Sequence, residues 1–177
     1  MKDVMIDIET LGNTYDAVMI QLGACFFDRK TGEIGKTFSV NIDRESCKAN
    51  GFKENAETLK WWSEQNQEIF NTITTKDLNS VDIAMKSFND FLGKGVKDLV
   101  IWSHATFDFV IVQNYLTSLK AGYLPFRGAR DIRTLVDLSG INLDNYDWSK
   151  KTHDALDDCK FQVAYCVDAM NKLNPSN

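Results

Sequence analysis

An apolar run near the start of the chain carries two carboxylates, and it constrains the fold more than any other stretch. The run covers residues 4–12 and ends at Gly12. Side chains alternate between the faces of a strand, so Asp7 and Glu9 project together while Val4, Ile6 and Ile8 project from the other face. Such a run is typical of a strand covered on both faces, where an unpaired charge costs several kcal/mol. It predicts a central strand with a cation site at its end, although two polar residues at a solvated strand end would give the same pattern.

The length and composition are those of one globular domain. The chain has 177 residues, of which 44% are hydrophobic and 25% charged. A chain of this size buries roughly 70% of the surface that its unfolded form exposes. We expect a single domain over residues 1–172 and a short tail over 173–177. No run of about 18 or more apolar residues and no signal-peptide core is present, so we expect a cytoplasmic protein without a membrane partner.

The cysteines and the net charge narrow the class of protein further. The four cysteines form no Cys-x-x-Cys pair and three lie within apolar patterns, so we expect reduced, mostly buried thiols. The net charge of −5 argues against a broad phosphate-binding surface. It is compatible with a nucleic-acid end held through metal ions, because divalent ions bound by clustered carboxylates restore positive charge locally.

Hydrophobic periodicity places further strands and helices after the first strand. Residues 18–27 and 34–42 are expected to continue from it as a hairpin, and a polar loop is expected over 44–54. The remaining expected elements are helices over 56–64, 81–92, 107–119, 132–138 and 155–170, a buried parallel strand over 99–102, and a short strand within 124–130. The sum is an α/β fold with a mixed five-stranded sheet, three antiparallel strands followed by parallel strands, flanked by helices.

Two further groups of polar residues lie where predicted elements meet. Asp108 is at the junction of a buried strand and the next helix, where catalytic residues collect in α/β sheets, although an Asp there can also cap the helix. His153 and Asp158 flank the start of the last helix, and they converge on one site only if His153 precedes the helix in a loop. The alternative is that Asp154, Asp157 and Asp158 only stabilise the helix by interacting with its dipole, at about 0.3 to 1 kcal/mol each.

The order Asp7-x-Glu9, Asp108 and His153-x4-Asp158 resembles the DEDDh 3′-to-5′ exonucleases, which include ribonuclease T and polymerase proofreading subunits. The pair Trp61-Trp62 and residues 130–135 resemble more narrowly the branch that contains exodeoxyribonuclease VIII and phage exonucleases. The resemblance implies a ribonuclease H-like fold. It also implies an enzyme that hydrolyses phosphodiester bonds at nucleic-acid 3′ ends and releases nucleoside 5′-monophosphates.

The resemblance implies a role for each motif residue. The four carboxylates would hold two divalent cations, Mg²⁺ or Mn²⁺, and the histidine would take the proton of the attacking water, which is worth about 10² to 10⁴ in rate. Oxygen ligands suit these hard ions, and two ions about 3.5 to 4 Å apart stabilise both the attacking and the leaving oxygen. The predicted catalytic residues are Asp7, Glu9, Asp108, His153 and Asp158, of which the four acids are the predicted metal ligands. The predicted substrate-binding residues are Thr10, Leu11, Ser103, Phe107 and Trp61.

Several of these residues have a second interpretation. Leu11 and Phe107 can be ordinary core residues, and His104 falls outside the motif and is expected to border the site or to be structural. On a helix, Trp61 and Trp62 point about 100° apart. One is expected to pack and the other to stack on a base or to form an interface, unless both lie in a wide core contact.

Two other classes of function fit parts of the pattern. The first strand also resembles the nucleophile motif of haloacid dehalogenase-like phosphatases, although Glu9 replaces the expected second Asp. A non-catalytic nucleic-acid-binding or assembly module of the same fold is the other alternative. The expected partner is a single-stranded nucleic acid or the 3′ end of DNA or RNA, and a homodimer is common among such relatives. The choice between DNA and RNA depends on contacts to the 2′-hydroxyl that the sequence does not place.

Overall fold

The computed structural model describes residues 1–104 and 106–174. The strands are β1 (Asp3–Thr10), β2 (Met19–Phe27), β3 (Ile34–Ile42), β4 (Leu78–Asn79), β5 (Val100–Ser103) and β6 (Ala129–Asp131). They form one mixed sheet with the order β4-β3-β2-β1-β5-β6. β1, β2 and β3 are antiparallel, whereas β4 runs parallel to β3, β5 to β1 and β6 to β5.

The described residues form six strands, so the predicted number of five was wrong. The additional strand is β4, which has two residues and pairs with the end of β3. Two residues are too few for a periodic pattern, so only the pairing defines this strand. The antiparallel start and the parallel strands that follow it are as predicted.

Seven α-helices lie within the described residues, and short 3₁₀ turns occur at Val96–Asp98, Leu143–Asn145 and Trp148–Lys150. The loop expected over 44–54 begins instead with a short helix, because the side chain of Asp43 accepts hydrogen bonds from the amides of Glu45 and Ser46. The helices are α1 (Arg44–Ala49), α2 (Ala56–Ser63), α3 (Gln67–Thr75), α4 (Val81–Leu92), α5 (Asp108–Ser118), α6 (Ile132–Ser139) and α7 (Ala155–Leu173). The boundary predicted at residue 172 falls within α7, and residues 175–177 of the predicted tail lie outside the described residues.

Strand β1 is the centre of the molecule, and every residue of β1 and β2 is buried. Val4, Ile6 and Ile8 pack into one hydrophobic cluster with residues of α4 and α5, whereas Met5 packs into a second cluster with residues of α6 and α7. The predicted strand covered on both faces is therefore confirmed. The alternation of side chains places Asp7 and Glu9 on the same face as Met5, towards α7.

The described residues include all four cysteines, which are buried and unpaired, as expected. None of the helices in this part of the chain has the length and apolar character that a bilayer crossing requires.

The start of α7 lies directly against β2 at Gly23, which pairs with Asp7 in the sheet. A Cβ atom at Gly23 would overlap the main chain of Ala155 and Leu156. The side chain of Gln21 fixes the same contact, because it accepts a hydrogen bond from the Ala155 amide at 2.7 Å and donates one to Asp154 at 2.9 Å. The absence of a side chain at Gly23 therefore sets the distance between α7 and the sheet.

Replacing Gly23 by alanine should force α7 away from β2. We expect Gly23→Ala to lower the free energy of unfolding by about 1 to 3 kcal/mol, the usual cost of overpacking, as measured by urea denaturation. Gly95→Ala is the matched control, because a Cβ at Gly95 meets nothing within 4 Å. Equal stability of the two variants would contradict the close approach of α7.

Candidate active site

The four predicted carboxylates converge at the end of β1. Asp7 and Glu9 come from β1, Asp108 is the first residue of α5, and Asp158 lies in the first turn of α7. Their relative exposures are 7%, 8%, 2% and 2%. Three elements that are distant in sequence thus bring four acids into one buried cluster, as the sequence predicts.

The potential ligand atoms fall into two groups, each with all its atoms within 4.8 Å of one another. One group contains Asp7, His104 and Asp108, and the other contains Glu9, His153 and Asp158. Oxygen donors predominate in both groups, as hard divalent cations require. The donor set therefore fits the pair of Mg²⁺ or Mn²⁺ ions that the sequence resemblance implies.

Burial acts on all four carboxylates, and repulsion by other acids of the cluster adds to it at Asp7 and Glu9. Burial, and then the neighbouring acids Asp108 and Asp158, raise the pKa of Asp7 well above its ordinary value. Burial, Asp7 and Asp158 do the same to the pKa of Glu9, and burial raises the pKa of Asp158 and brings that of Asp108 to about 7. A bound cation would offset the cost of ionising these buried carboxyl groups, because it stabilises the ionised form of every ligand.

The side chain of Asp108 is hydrogen-bonded to the loop before α5 and does not cap that helix. Its carboxylate accepts a hydrogen bond from the His104 amide at 2.8 Å, and Phe107 occupies the cap position. His104 itself lies at the border of the site, with Nδ1 3.6 Å from Asp108 Oδ2. Burial, aided by Arg133 and Lys151, lowers the pKa of His104 to about 4, so its ring is neutral near pH 7.

His153 precedes α7 in a loop, as the convergence with Asp158 requires. Its φ angle is 60°, in the left-handed region, and its Nδ1 lies 3.8 Å from Glu9 Oε1. Burial and then Lys151 lower the pKa of His153, which favours the neutral form that can accept a proton. The Thr152 amide next to it donates a hydrogen bond to Asp158 at 3.0 Å. The loop before α7 thus positions both the histidine and the acid.

The two adjacent tryptophans differ in exposure, although their rings contact each other edge to face with centroids 5.0 Å apart. Trp62 is 1% exposed and its indole N–H donates to the carbonyl of Thr10 at 2.9 Å, whereas Trp61 is 41% exposed. Trp61 packs edge to face against the ring of His153 with centroids 5.1 Å apart. One ring therefore packs and the other borders the site, which contradicts the alternative that both lie in the core.

A cavity of about 280 Å³ contains the carboxylate cluster. Thr10, Trp61 and Phe107 line it, so these three predicted substrate-binding residues are within reach of a ligand. Leu11 and Ser103 are fully buried and offer no surface to a substrate in this conformation. The substrate-binding roles of all five residues stay predictions.

Sequence reasoning missed two residues of the site. The amide of Gln162, which is 3% exposed, donates to Asp7 Oδ1 at 2.6 Å. A polar residue four positions after Asp158, on the apolar face of α7, is the sequence signal that could have indicated it. Lys151 lowers the pKa of Asp7, Glu9 and Asp158 from a loop where no periodic pattern exists.

Comparison with known proteins identifies similar sequences and folds. A family model described as the 3′-5′ exoribonuclease Rv2179c-like domain matches residues 2–170. An exodeoxyribonuclease of Enterobacteria phage T4 is 26% identical over 167 residues, and the match covers 77% of this chain and 71% of the phage protein.

Solved structures share the fold at lower sequence identity. E. coli Exonuclease I in complex with a dA16 oligonucleotide superposes with a TM-score of 0.67 and 14% identity over 98% of this chain and 41% of that one. S. pombe Pop2p in its Mg²⁺ and Mn²⁺ bound form gives a TM-score of 0.62 and 11% identity over 98% of this chain and 84% of that one. The chain thus spans about two fifths of the Exonuclease I structures, and the matches confirm the ribonuclease H-like fold.

The raised carboxyl pKa values predict how stability depends on pH and metal. A carboxyl whose pKa rises on folding stabilises the fold at low pH, and this contribution is lost as the pH rises through the folded-state pKa, about 7 for Asp108. We expect the melting temperature of EDTA-treated protein to decrease as the pH is raised from about 5 to about 8. Mg²⁺ should raise it more at the higher pH, because the ligands must be deprotonated.

Differential scanning fluorimetry with and without Mg²⁺ measures this effect. Asp108→Asn is the matched variant, since it removes one titrating group and should reduce both the pH dependence and the Mg²⁺ effect. A larger Mg²⁺ effect at the lower pH would contradict the cluster as a metal site.

Proposed function

The chain belongs to the Rv2179c-like family of 3′-5′ exoribonuclease domains, and we propose that it removes nucleotides from the 3′ end of a single-stranded nucleic acid by a two-metal-ion mechanism. The observation that carries the proposal is the convergence of four buried carboxylates and His153 in one cavity. The family match confirms the predicted 3′-to-5′ exonuclease class and contradicts the phosphatase alternative.

In the proposed reaction, Asp7, Glu9, Asp108 and Asp158 hold two divalent ions. Bound ions supply Lewis-acid activation of water and stabilise charge on the phosphoryl oxygens. His153 accepts the proton of the attacking water, whose oxygen bonds to phosphorus while the bond between phosphorus and the 3′ oxygen breaks. The leaving 3′ oxygen takes up a proton from solvent, so the products are a nucleoside 5′-monophosphate and a strand with a new 3′-hydroxyl.

The remaining parts of the cavity support binding of the terminal nucleotide. The half-exposed ring of Trp61 offers a surface on which a base can stack, an interaction worth about 1 to 3 kcal/mol. Its edge-to-face contact with His153 means that the same nucleotide would hold the proton acceptor in place. Thr10, with its hydroxyl donating to the Gly12 carbonyl at 2.6 Å, lies at the end of β1 where the 3′-hydroxyl would bind.

The similar proteins support a nucleic-acid strand as the substrate. The family is described by exoribonuclease activity, the phage T4 relative is an exodeoxyribonuclease, and the Exonuclease I structure holds a DNA oligonucleotide. A digestion panel of matched single-stranded DNA, single-stranded RNA and duplexes with either metal identifies the preferred substrate.

Removing a metal ligand should abolish hydrolysis without unfolding the protein. We expect Asp158→Asn to reduce the release of mononucleotides from an end-labelled strand to background, because one ion loses a charged ligand. Asp157→Asn is the matched control, since Asp157 is exposed and pairs with Lys160 at 2.8 Å. Activity of Asp158→Asn close to that of the control would overturn the assignment of the site.

Removing the histidine should slow the reaction in a pH-dependent way. We expect His153→Ala to lower kcat by about 10² to 10⁴. Rising pH should restore part of the loss, since hydroxide replaces the water that the histidine would deprotonate. The measurement is the pH profile of kcat for both proteins. A loss of the same size at every pH would instead indicate that His153 only positions Glu9 or Trp61.

A further inference from the structure

A second groove, which we call the α6–α7 groove, continues from the cavity that holds the carboxylates. It lies between α6, α7 and the loop over residues 141–151, and its volume is about 570 Å³. His104, Arg133, Lys151 and Asp158 line both spaces. A ligand in the α6–α7 groove would therefore be continuous with a phosphate at the metal site.

The groove contains an aromatic ring that is exposed and fixed. Trp148 is 45% exposed, and its indole N–H donates to the carbonyl of Leu143 at 3.0 Å. Its ring contacts Phe161 edge to face, with centroids 5.2 Å apart. These two contacts hold the indole in one orientation, so it can accept a stacked base without first losing side-chain freedom.

Two cations lie at the border between the groove and the carboxylate cavity. Arg133 comes from α6 and Lys151 from the loop before α7, and both are exposed. Neither forms an ion pair with another residue in the part of the chain that the structure describes. In a protein with a net charge of −5, two exposed cations beside an acidic cluster are suited to hold a phosphate of the substrate.

We propose that the α6–α7 groove binds the second nucleotide from the 3′ end, with its base stacked on Trp148 and its backbone phosphate beside Arg133. The proposal rests on the proposed function, in which the terminal nucleotide occupies the side of the cavity formed by Thr10 and Trp61. The strand must leave the cavity past the scissile phosphate, and the α6–α7 groove offers a path there because it shares Asp158 with the cavity but not Thr10 or Trp61. The 3′ oxygen of this second nucleotide is the leaving group, so fixing the nucleotide also aligns the bond that breaks.

The test compares two substrates that differ only on the leaving-group side. The p-nitrophenyl ester of thymidine 5′-monophosphate contains the terminal nucleotide, and p-nitrophenolate replaces the second one. An oligothymidylate contains both nucleotides. We expect Trp148→Ala to lower kcat/KM for the oligothymidylate by about 5- to 150-fold, as the loss of one stacked base implies. The loss for the ester should be much smaller.

Two further variants separate stacking from support of the fold. Trp148→Phe keeps an aromatic surface and should recover most of the activity on the oligothymidylate. Arg133→Gln changes an exposed side chain and should lower kcat/KM for the oligothymidylate more than for the ester, with a weaker salt dependence than the wild type. Phe126→Ala and Arg127→Gln are matched controls, because both residues are exposed and lie outside the groove.

The outcomes distinguish the groove from the exonuclease itself. Losses confined to the oligothymidylate would support the groove as a nucleotide site. Equal losses on both substrates, or no loss with Trp148→Ala and Arg133→Gln, would overturn it while the exonuclease assignment stands. A wild-type protein that hydrolyses neither substrate with Mg²⁺ or Mn²⁺ would overturn the proposed function.

Discussion

Burial of four carboxylates in one cluster is the constraint on which the rest of the structure depends. Burial raises the pKa of each acid, and Asp7 and Glu9 are raised further by their acidic neighbours. A fold that concentrates such groups without a cation gives up stability as they ionise. The surrounding contacts must therefore hold the ligands together by other means, so that a metal ion meets a site that is already formed.

Those contacts come from uncharged groups on neighbouring elements. The amide of Gln162 orients Asp7, and the indole of Trp62 fixes the end of β1 through the Thr10 carbonyl. Gln21 and the missing side chain at Gly23 hold the start of α7 against the sheet, and this position determines where Asp158 lies. Neutral donors are suited to this task, since they position a carboxylate without competing with a cation for its charge.

Sequence patterns predicted the long helices and strands and the five motif residues of the site. They failed where the structure depends on short segments or on tertiary contacts. β1 carries its alternating pattern over eight residues, whereas α1 begins at the cap Asp43 and has six residues, too few for a clear apolar stripe. The five motif residues were found because their order along the chain is informative. Gln162 and Lys151 were missed because only the packing of α7 and its preceding loop brings them to the acids.

The negative charge of the protein also explains how a nucleic-acid strand would be held. With a net charge of −5, the chain has no excess of Lys and Arg from which a broad phosphate-binding surface could be built. Affinity must then come from metal ions bound at the scissile phosphate, from the few cations at the site such as Arg133, and from base stacking. Two exposed tryptophans, Trp61 beside His153 in the cavity and Trp148 in the adjoining α6–α7 groove, would supply the stacking. Such a site would bind a few nucleotides next to the 3′ end, which is the part of the strand that an exonuclease needs to bind.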